Sequence, residues 1–154
     1  MNTTQKFLLT AFVLFVAACS SVSSDRTNDA TAISASASGA YSDEGLTSNN
    51  IVYFAYDRSD INAEGRSKIR TLAKVINDNN LSVRIEGHCD ERGTREYNLA
   101  LGEQRAKTVA EFLVINGVSS NKITTVSYGE EKPAMPGSNE SSWSKNRRAL
   151  VKTF

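Results

Sequence analysis

The densest collection of reactive side chains is the run Glu86-Gly87-His88-Cys89-Asp90-Glu91-Arg92-Gly93-Thr94, followed by Asn98, Gly102 and Arg105. A carboxylate such as Asp90 accepts hydrogen bonds from an ammonium, and a guanidinium such as Arg105 can clamp a carboxylate through two parallel N–H bonds. Side by side, the two would complement the free end of an amino acid, which bears both charges. The same residue types equally suit a plain Asp90–Arg105 salt bridge with no ligand, and by themselves they leave both readings open.

Sharper chemistries fit the spacing poorly. His88, Cys89, Asp90 and Glu91 include every ligand type that zinc favours. Adjacent residues leaving a strand point to opposite faces, however, and cannot chelate one ion together. The chain has one histidine and two cysteines, so neither a second histidine nor a Cys-x-x-Cys pair supports such a site. A Cys89–His88 nucleophile pair fails on the same geometry and lacks an orienting third group. Glycoside cleavage needs two carboxylates flanking a bond, which the adjacent Asp90 and Glu91 are badly placed to do. The expectation is therefore no metal, no cofactor and no catalysis. His88 is expected in a core or hydrogen-bonded role, and Cys89 as a small buried hydrophobe.

The elements that must hold these residues read as alternating strands and helices. Ile51, Val52, Tyr53 and Phe54 are β-branched or aromatic and predict a buried strand. Ile69, Leu72, Ala73 and Ile76 recur at helical spacing, in a helix that starts near Asn62 or Ala63 and stops among residues 77–80. Leu81, Val83 and Ile85 alternate with Ser82, Arg84 and Glu86, as a strand with one buried face requires. A second helix is expected over residues 97–115, with Leu99, Ala106, Val109, Ala110 and Leu113 on one face and a stop at Asn116-Gly117. Residues 123–128 predict a third strand, 129–144 a loop carrying Pro133, Pro136 and Gly137, and 147–154 a last strand. The fold class is α+β, in the order β-α-β-α-β-β, with two helices packed on one face of a four-stranded mixed sheet.

The N-terminal third differs in character. Lys6 precedes a nearly unbroken apolar run over residues 7–18, too short to span a bilayer and suited to the core of a signal peptide. Ala17-Ala18-Cys19 resembles the bacterial lipobox, which implies removal of residues 1–18 and lipidation of Cys19; an ordinary secretory signal with Cys19 incidental is the alternative. Several acyl chains on one residue hold a membrane firmly where a single chain binds only marginally. Ser20, in place of the aspartate that retains lipoproteins in the inner membrane, implies delivery to the outer membrane. Residues 19–48 are rich in Ser, Ala, Thr, Asp and Asn and read as a flexible tether to a domain at 49–154. An acylated Cys19 cannot pair with Cys89, so no disulfide is expected. A formal net charge of +1 without a basic stripe argues against a nucleic-acid partner.

Four motifs occur in order over residues 49–154. They are Asn49 to Phe54 with Asp57, Asp60 and Ile61; Glu86-Gly87-His88-x-Asp90-Glu91-Arg92-Gly93-Thr94; Glu96-Tyr97-Asn98-x-x-Leu101-Gly102-Glu103-x-Arg105-Ala106; and Val126-Ser127-Tyr128-Gly129 with Ser144-Lys145-Asn146-Arg147-Arg148-Ala149. Together they resemble the OmpA-like peptidoglycan-binding domain. The resemblance implies binding of the diaminopimelate stem peptide of peptidoglycan, with the ligand aspartate at Asp90 and the ligand arginine at Arg105. It implies neighbouring contacts at Asn98, Leu101, Glu91, Arg92, Gly93, Thr94 and Asp57. In lipid-anchored members it also implies a tie between outer membrane and cell wall, with TolB of the Tol system as a protein partner. Ala55 departs from the usual pattern and carries no implied contact. Of Arg147 and Arg148, one is expected to brace the site and the other to be solvated, because neighbours on a strand face opposite ways.

Overall fold

The computed structural model describes residues 50–154; the signal segment 1–18, Cys19, the remainder of the tether and Asn49 lie outside the described residues. The elements are β1 (Ile51–Tyr53), α1 (Ala63–Asp78), β2 (Val83–His88), α2 (Arg95–Ile115), β3 (Ile123–Gly129), α3 (Glu140–Asn146) and β4 (Arg148–Thr153), with a 3₁₀ turn at Ser120–Lys122. The strands form one mixed sheet in the order β1-β4-β2-β3. β4 lies antiparallel to both β1 and β2, and β2 lies parallel to β3. Parallel neighbours need a long crossover, which α2 supplies.

One core joins both long helices to the sheet. Ile69, Leu72, Ala73 and Ile76 of α1 and Ala106, Val109 and Leu113 of α2 pack on Val52, Val83, Ile85, Ala149 and Val151. Each fully buried Val, Leu or Ile among these contributes roughly 1.5–3 kcal/mol of transfer free energy. Leu99 and Ala110, expected on the buried face of α2, are only half-buried. The buried stripe runs instead through Asn98, Gly102 and Arg105 before turning apolar.

Local chemistry sets the helix ends. The Asn62 side chain caps α1 by accepting from the Gly65 N–H at 2.8 Å. Thr94 caps α2 by accepting from the Tyr97 N–H at 3.2 Å, so α2 begins at Arg95 rather than Tyr97. Beyond α2, Gly117 adopts φ +92° and the Val118 N–H bonds the Leu113 carbonyl at 3.0 Å, closing the helix as Asn116-Gly117 suggested. The expected loop over 129–144 is corrected in its last part, where α3 forms. Asn139 caps α3 through Ser142, beyond the reach of Pro133, Pro136 and Gly137. α3 is a short turn with no apolar periodicity, so hydrophobic patterning gave no sign of it.

Two glycines decide how α2 meets the sheet. A methyl group on Gly87 would fall 1.8 Å from the Gly102 carbonyl oxygen, and one on Gly102 would fall 2.4 Å from Ser127 Oγ. Helix backbone therefore lies directly on strand backbone. Asn98 and Arg105, about one turn to either side of Gly102, are carried to the end of β2, where Asp90 emerges.

On the opposite face of the sheet, His88 is 1% exposed and stacks on Tyr128 with ring centroids 5.5 Å apart. Neither of its ring nitrogens has a hydrogen-bond partner. Glu86 is buried beside it and pairs with Lys152 at 3.3 Å and Arg84 at 3.5 Å. Burial, with Arg148, Lys132 and Lys152 nearby, pushes the His88 pKa down to about 3.

Two outcomes follow from this packing. Gly87→Ala should cost about 3 kcal/mol, read as a lowered urea midpoint. The unfolded chain takes up a proton on His88 near its ordinary pKa of 6.5, whereas the folded protein takes it up only near 3. Stability should thus be flat above pH 6.5 and fall below it, by about 1–2 kcal/mol at pH 5 from this residue. Urea titrations at pH 7 and pH 5 should show that His88→Leu lacks this part of the loss; an undiminished loss would refute the assignment.

Candidate functional site

A cleft of about 260 Å³ opens where the β2 end, the start of α2 and the segment after β1 converge. Of the residues expected at a site, Asp57, Asp90, Arg92, Gly93, Asn98, Leu101 and Arg105 line it. Glu91 and Thr94 do not. Glu91 borders a neighbouring cavity and accepts from the Trp143 indole N–H at 3.1 Å, and Thr94 caps α2. Tyr56, Cys89 and Tyr97 line the cleft without having been expected there, and of the two terminal arginines it is Arg147 that reaches it.

Asp90 is 4% exposed, yet it is ionised and fully solvated by protein donors. Its Oδ1 accepts from the backbone N–H of Arg92 at 3.1 Å and from Arg92 Nε at 3.2 Å. Its Oδ2 accepts from Arg92 Nη2 at 2.7 Å and Arg147 Nη1 at 3.2 Å. Burial would raise its pKa, but the bonds from Arg92 and Arg147 outweigh that and hold the carboxyl below its ordinary range.

Arg105 is wholly buried and serves a different set of partners. Nε donates to the Arg58 carbonyl at 2.8 Å and Nη2 to the Ala55 carbonyl at 3.2 Å. Nη1 donates to the His88 carbonyl at 2.8 Å and to Cys89 Sγ at 3.3 Å. A guanidinium has five N–H groups, so one at most is free for a ligand. This corrects two expectations. Arg105 has no two-pronged fork to offer while these bonds stand, and the salt bridges of Asp90 are to Arg92 and Arg147, not to Arg105. Burial lowers the Arg105 pKa. Three backbone carbonyls from the segment after β1 and the end of β2 compensate the buried charge.

The remaining side chains brace this core. Asn98 donates through Nδ2 to the carbonyls of Asp90 (3.3 Å) and Arg92 (3.1 Å) and to Glu130, so it shapes the loop beneath Asp90. Arg147 donates to the Phe54 carbonyl at 3.1 Å and pairs with Glu140 of α3. Arg148 faces the other side of the sheet, as alternation requires, but it is 7% exposed rather than solvated. Its guanidinium donates to the Lys132 carbonyl at 3.2 Å. Asp57 sits at φ +55° and accepts from the Tyr97 hydroxyl. The Arg92 guanidinium lies 4.0 Å from the ring centres of both Tyr56 and Trp143. Cys89 is buried, donates to the Asn98 carbonyl at 3.3 Å and receives Arg105, so it links two elements as well as filling space.

Some of what was missed had a faint signal. Tyr97 is a large aromatic just inside a capped helix start, and Tyr56 stands beside Asp57. The Arg147–Asp90 pair joins residues 57 positions apart, and no local pattern encodes it.

Comparison with known proteins agrees with this architecture. Residues 53–147 match the OmpA family. The chain is 44% identical to the peptidoglycan-associated lipoprotein of Haemophilus influenzae, over 98% of this chain and 99% of that one. It is 42% identical to the Pseudomonas putida protein of the same name, over 96% of this chain and 95% of the relative. The crystal structure of the Burkholderia pseudomallei peptidoglycan-associated lipoprotein superposes with a TM-score of 0.66 at 37% identity, covering 68% of this chain and 90% of that one.

Burial raises the Cys89 thiol pKa to about 11. The thiolate is the reactive form, so Cys89 should stay unmodified by iodoacetamide at pH 8 in the native protein and react fully in urea, as read by peptide mapping. Rapid native labelling would contradict the buried placement.

Proposed function

The chain belongs to the OmpA family, and within it to the peptidoglycan-associated lipoproteins; from that premise we propose that it binds the bacterial cell wall without covalent bonds and ties the outer membrane to it. The ligand group is the free end of diaminopimelate in the stem peptide. Asp90 receives its ammonium, and the one N–H that Arg105 has left faces its carboxylate. Asn98, Gly93, Leu101 and Asp57 shape the walls.

The observation that carries this reading is the cleft itself. Two carboxylates, those of Asp57 and the buried, ionised Asp90, and three guanidinia, those of Arg92, Arg105 and Arg147, line a space of about 260 Å³. That is below the roughly 300–1,000 Å³ usual for small-molecule sites, and it suits one amino-acid end rather than a whole muropeptide. The chemistry is binding, not catalysis. Asp90 has its lone pairs taken and a depressed pKa, so it is a poor general acid and a poor general base. Lipid on Cys19 anchors the mature chain in the outer membrane, and the 19–48 segment gives the domain reach towards the wall.

A protein partner on the same face is also proposed, namely TolB within the Tol–Pal system that serves envelope integrity and cell division. Tyr56 and Tyr97, 58% and 50% exposed at the cleft, favour it, since aromatic residues are enriched at interfaces.

Asp90→Asn keeps the shape and removes the charge, so it should abolish co-sedimentation with purified peptidoglycan while the circular dichroism spectrum persists. Undiminished sedimentation of the folded variant would refute the site. Arg105→Ala is a poorer probe. It strips donors from three carbonyls, that of His88 buried and those of Ala55 and Arg58 partly so, and should destabilise the fold by on the order of 3 kcal/mol.

A further inference from the structure

A carboxylate offers about four lone-pair directions, and all four on Asp90 are taken: three by Arg92, counting its backbone N–H, and one by Arg147. An incoming ammonium therefore reaches Asp90 only by displacing a donor already there. We infer that Arg92 is a built-in stand-in for the ligand's ammonium, and that the site binds by exchanging one cation for the other. This rests on the wall-binding reading above and specifies how that site selects its ligand.

The two arginines on Asp90 are not equally free to leave. The Arg147 side chain is 7% exposed, anchored to the Phe54 carbonyl and to Glu140, and its backbone passes directly into β4. The Arg92 side chain is 30% exposed and stands on a loop beside Gly93, which adopts φ +113°. Its fallback is already in place. Glu140 lies 3.7 Å from Nη2, and the rings of Tyr56 and Trp143 flank the guanidinium. A small swing away from Asp90 keeps the guanidinium between two aromatic faces and near a carboxylate, so the charge is never left bare. The backbone N–H of Arg92 stays on Asp90 throughout and preserves the loop.

Exchange of this kind sets a selectivity. Only a group bearing a full positive charge repays the loss of Arg92 from a buried carboxylate. An amide nitrogen carries no such charge. The cleft therefore discriminates between stem peptides whose diaminopimelate amine is free and those whose amine is acylated by a cross-link.

Titration calorimetry on the full-length protein tests this, with a tripeptide ending in meso-diaminopimelate and its counterpart acylated on the side-chain amine. Trp143 is the single tryptophan of the chain, and its emission reports the position of Arg92. Arg92→Ala removes the competitor and should bind the free-amine peptide about three- to tenfold tighter. Arg92→Lys, which keeps a cation without the fork, should fall between it and the parent. The parent should show a change in Trp143 emission on binding, and Arg92→Ala should not. The acylated peptide should bind at least about tenfold more weakly to the parent, the loss of one charged hydrogen bond. If the parent binds the free-amine peptide but both variants bind it equally or more weakly, or if Trp143 emission is unmoved, the exchange is wrong and the wall-binding reading stands. If the parent does not bind the peptide at all, both fall.

Discussion

The direct contact between the backbones of Gly87 and Gly102 is the constraint on which the rest of the domain depends. No other residue pair would let α2 approach β2 so closely, because any Cβ at either position meets main-chain or side-chain atoms well inside contact distance. The contact fixes the helix in height as well as in distance. It aligns the polar first half of the α2 stripe, Asn98 and Arg105, with the loop leaving β2, while Ala106, Val109 and Leu113 remain over the aliphatic core. A single helix face thus changes from site to core along its length, and the glycine marks the junction.

Charge inside this domain is managed by hydrogen bonding rather than by counting ion pairs. Arg105, Arg147 and Arg148 are all nearly inaccessible, and a buried unpaired guanidinium would be costly. Arg105 and Arg148 are held chiefly by backbone carbonyls, whose partial charges are aimed at them by the loops. In return the arginines give those loops buried donors. Arg105 ties the segment after β1 to the end of β2 and so sets the width of the cleft. Asp90 is the acidic counterpart, ringed by donors and therefore ionised despite its burial. The site is preorganised in the sense that its charges are already oriented before a ligand arrives.

The sheet separates two environments. On the helix side lies the aliphatic core. On the other side lie Glu86, His88, Tyr128, Arg148 and Lys152, where charge and burial coexist because long side chains cover one another. His88 stays neutral there, since three cations and little water surround it. The strand that delivers Asp90 to the cleft is therefore fixed on both faces, by glycine packing on one and by a stacked imidazole on the other.

The sequence by itself determined what is local. The order of the four strands and the two long helices, the start of α1 near Asn62, the Asn116-Gly117 stop and the aliphatic stripe of α1 all follow from periodicity and capping, which act within a few residues. The gathering of Asp90, Asn98 and Arg105 near one another was legible from a strand end followed by a helix start. Which donor meets which acceptor was not. Arg105 finds carbonyls 47 and 50 positions away, Tyr97 finds Asp57 at 40, and Arg147 finds Asp90 at 57. Those partners are chosen by sheet register, by the pairing of β4 between β1 and β2, and by the backbone approach at Gly87. A residue's type and spacing report that it will be buried or charged; only the folded chain, by fixing distances between segments far apart in sequence, decides what neutralises it.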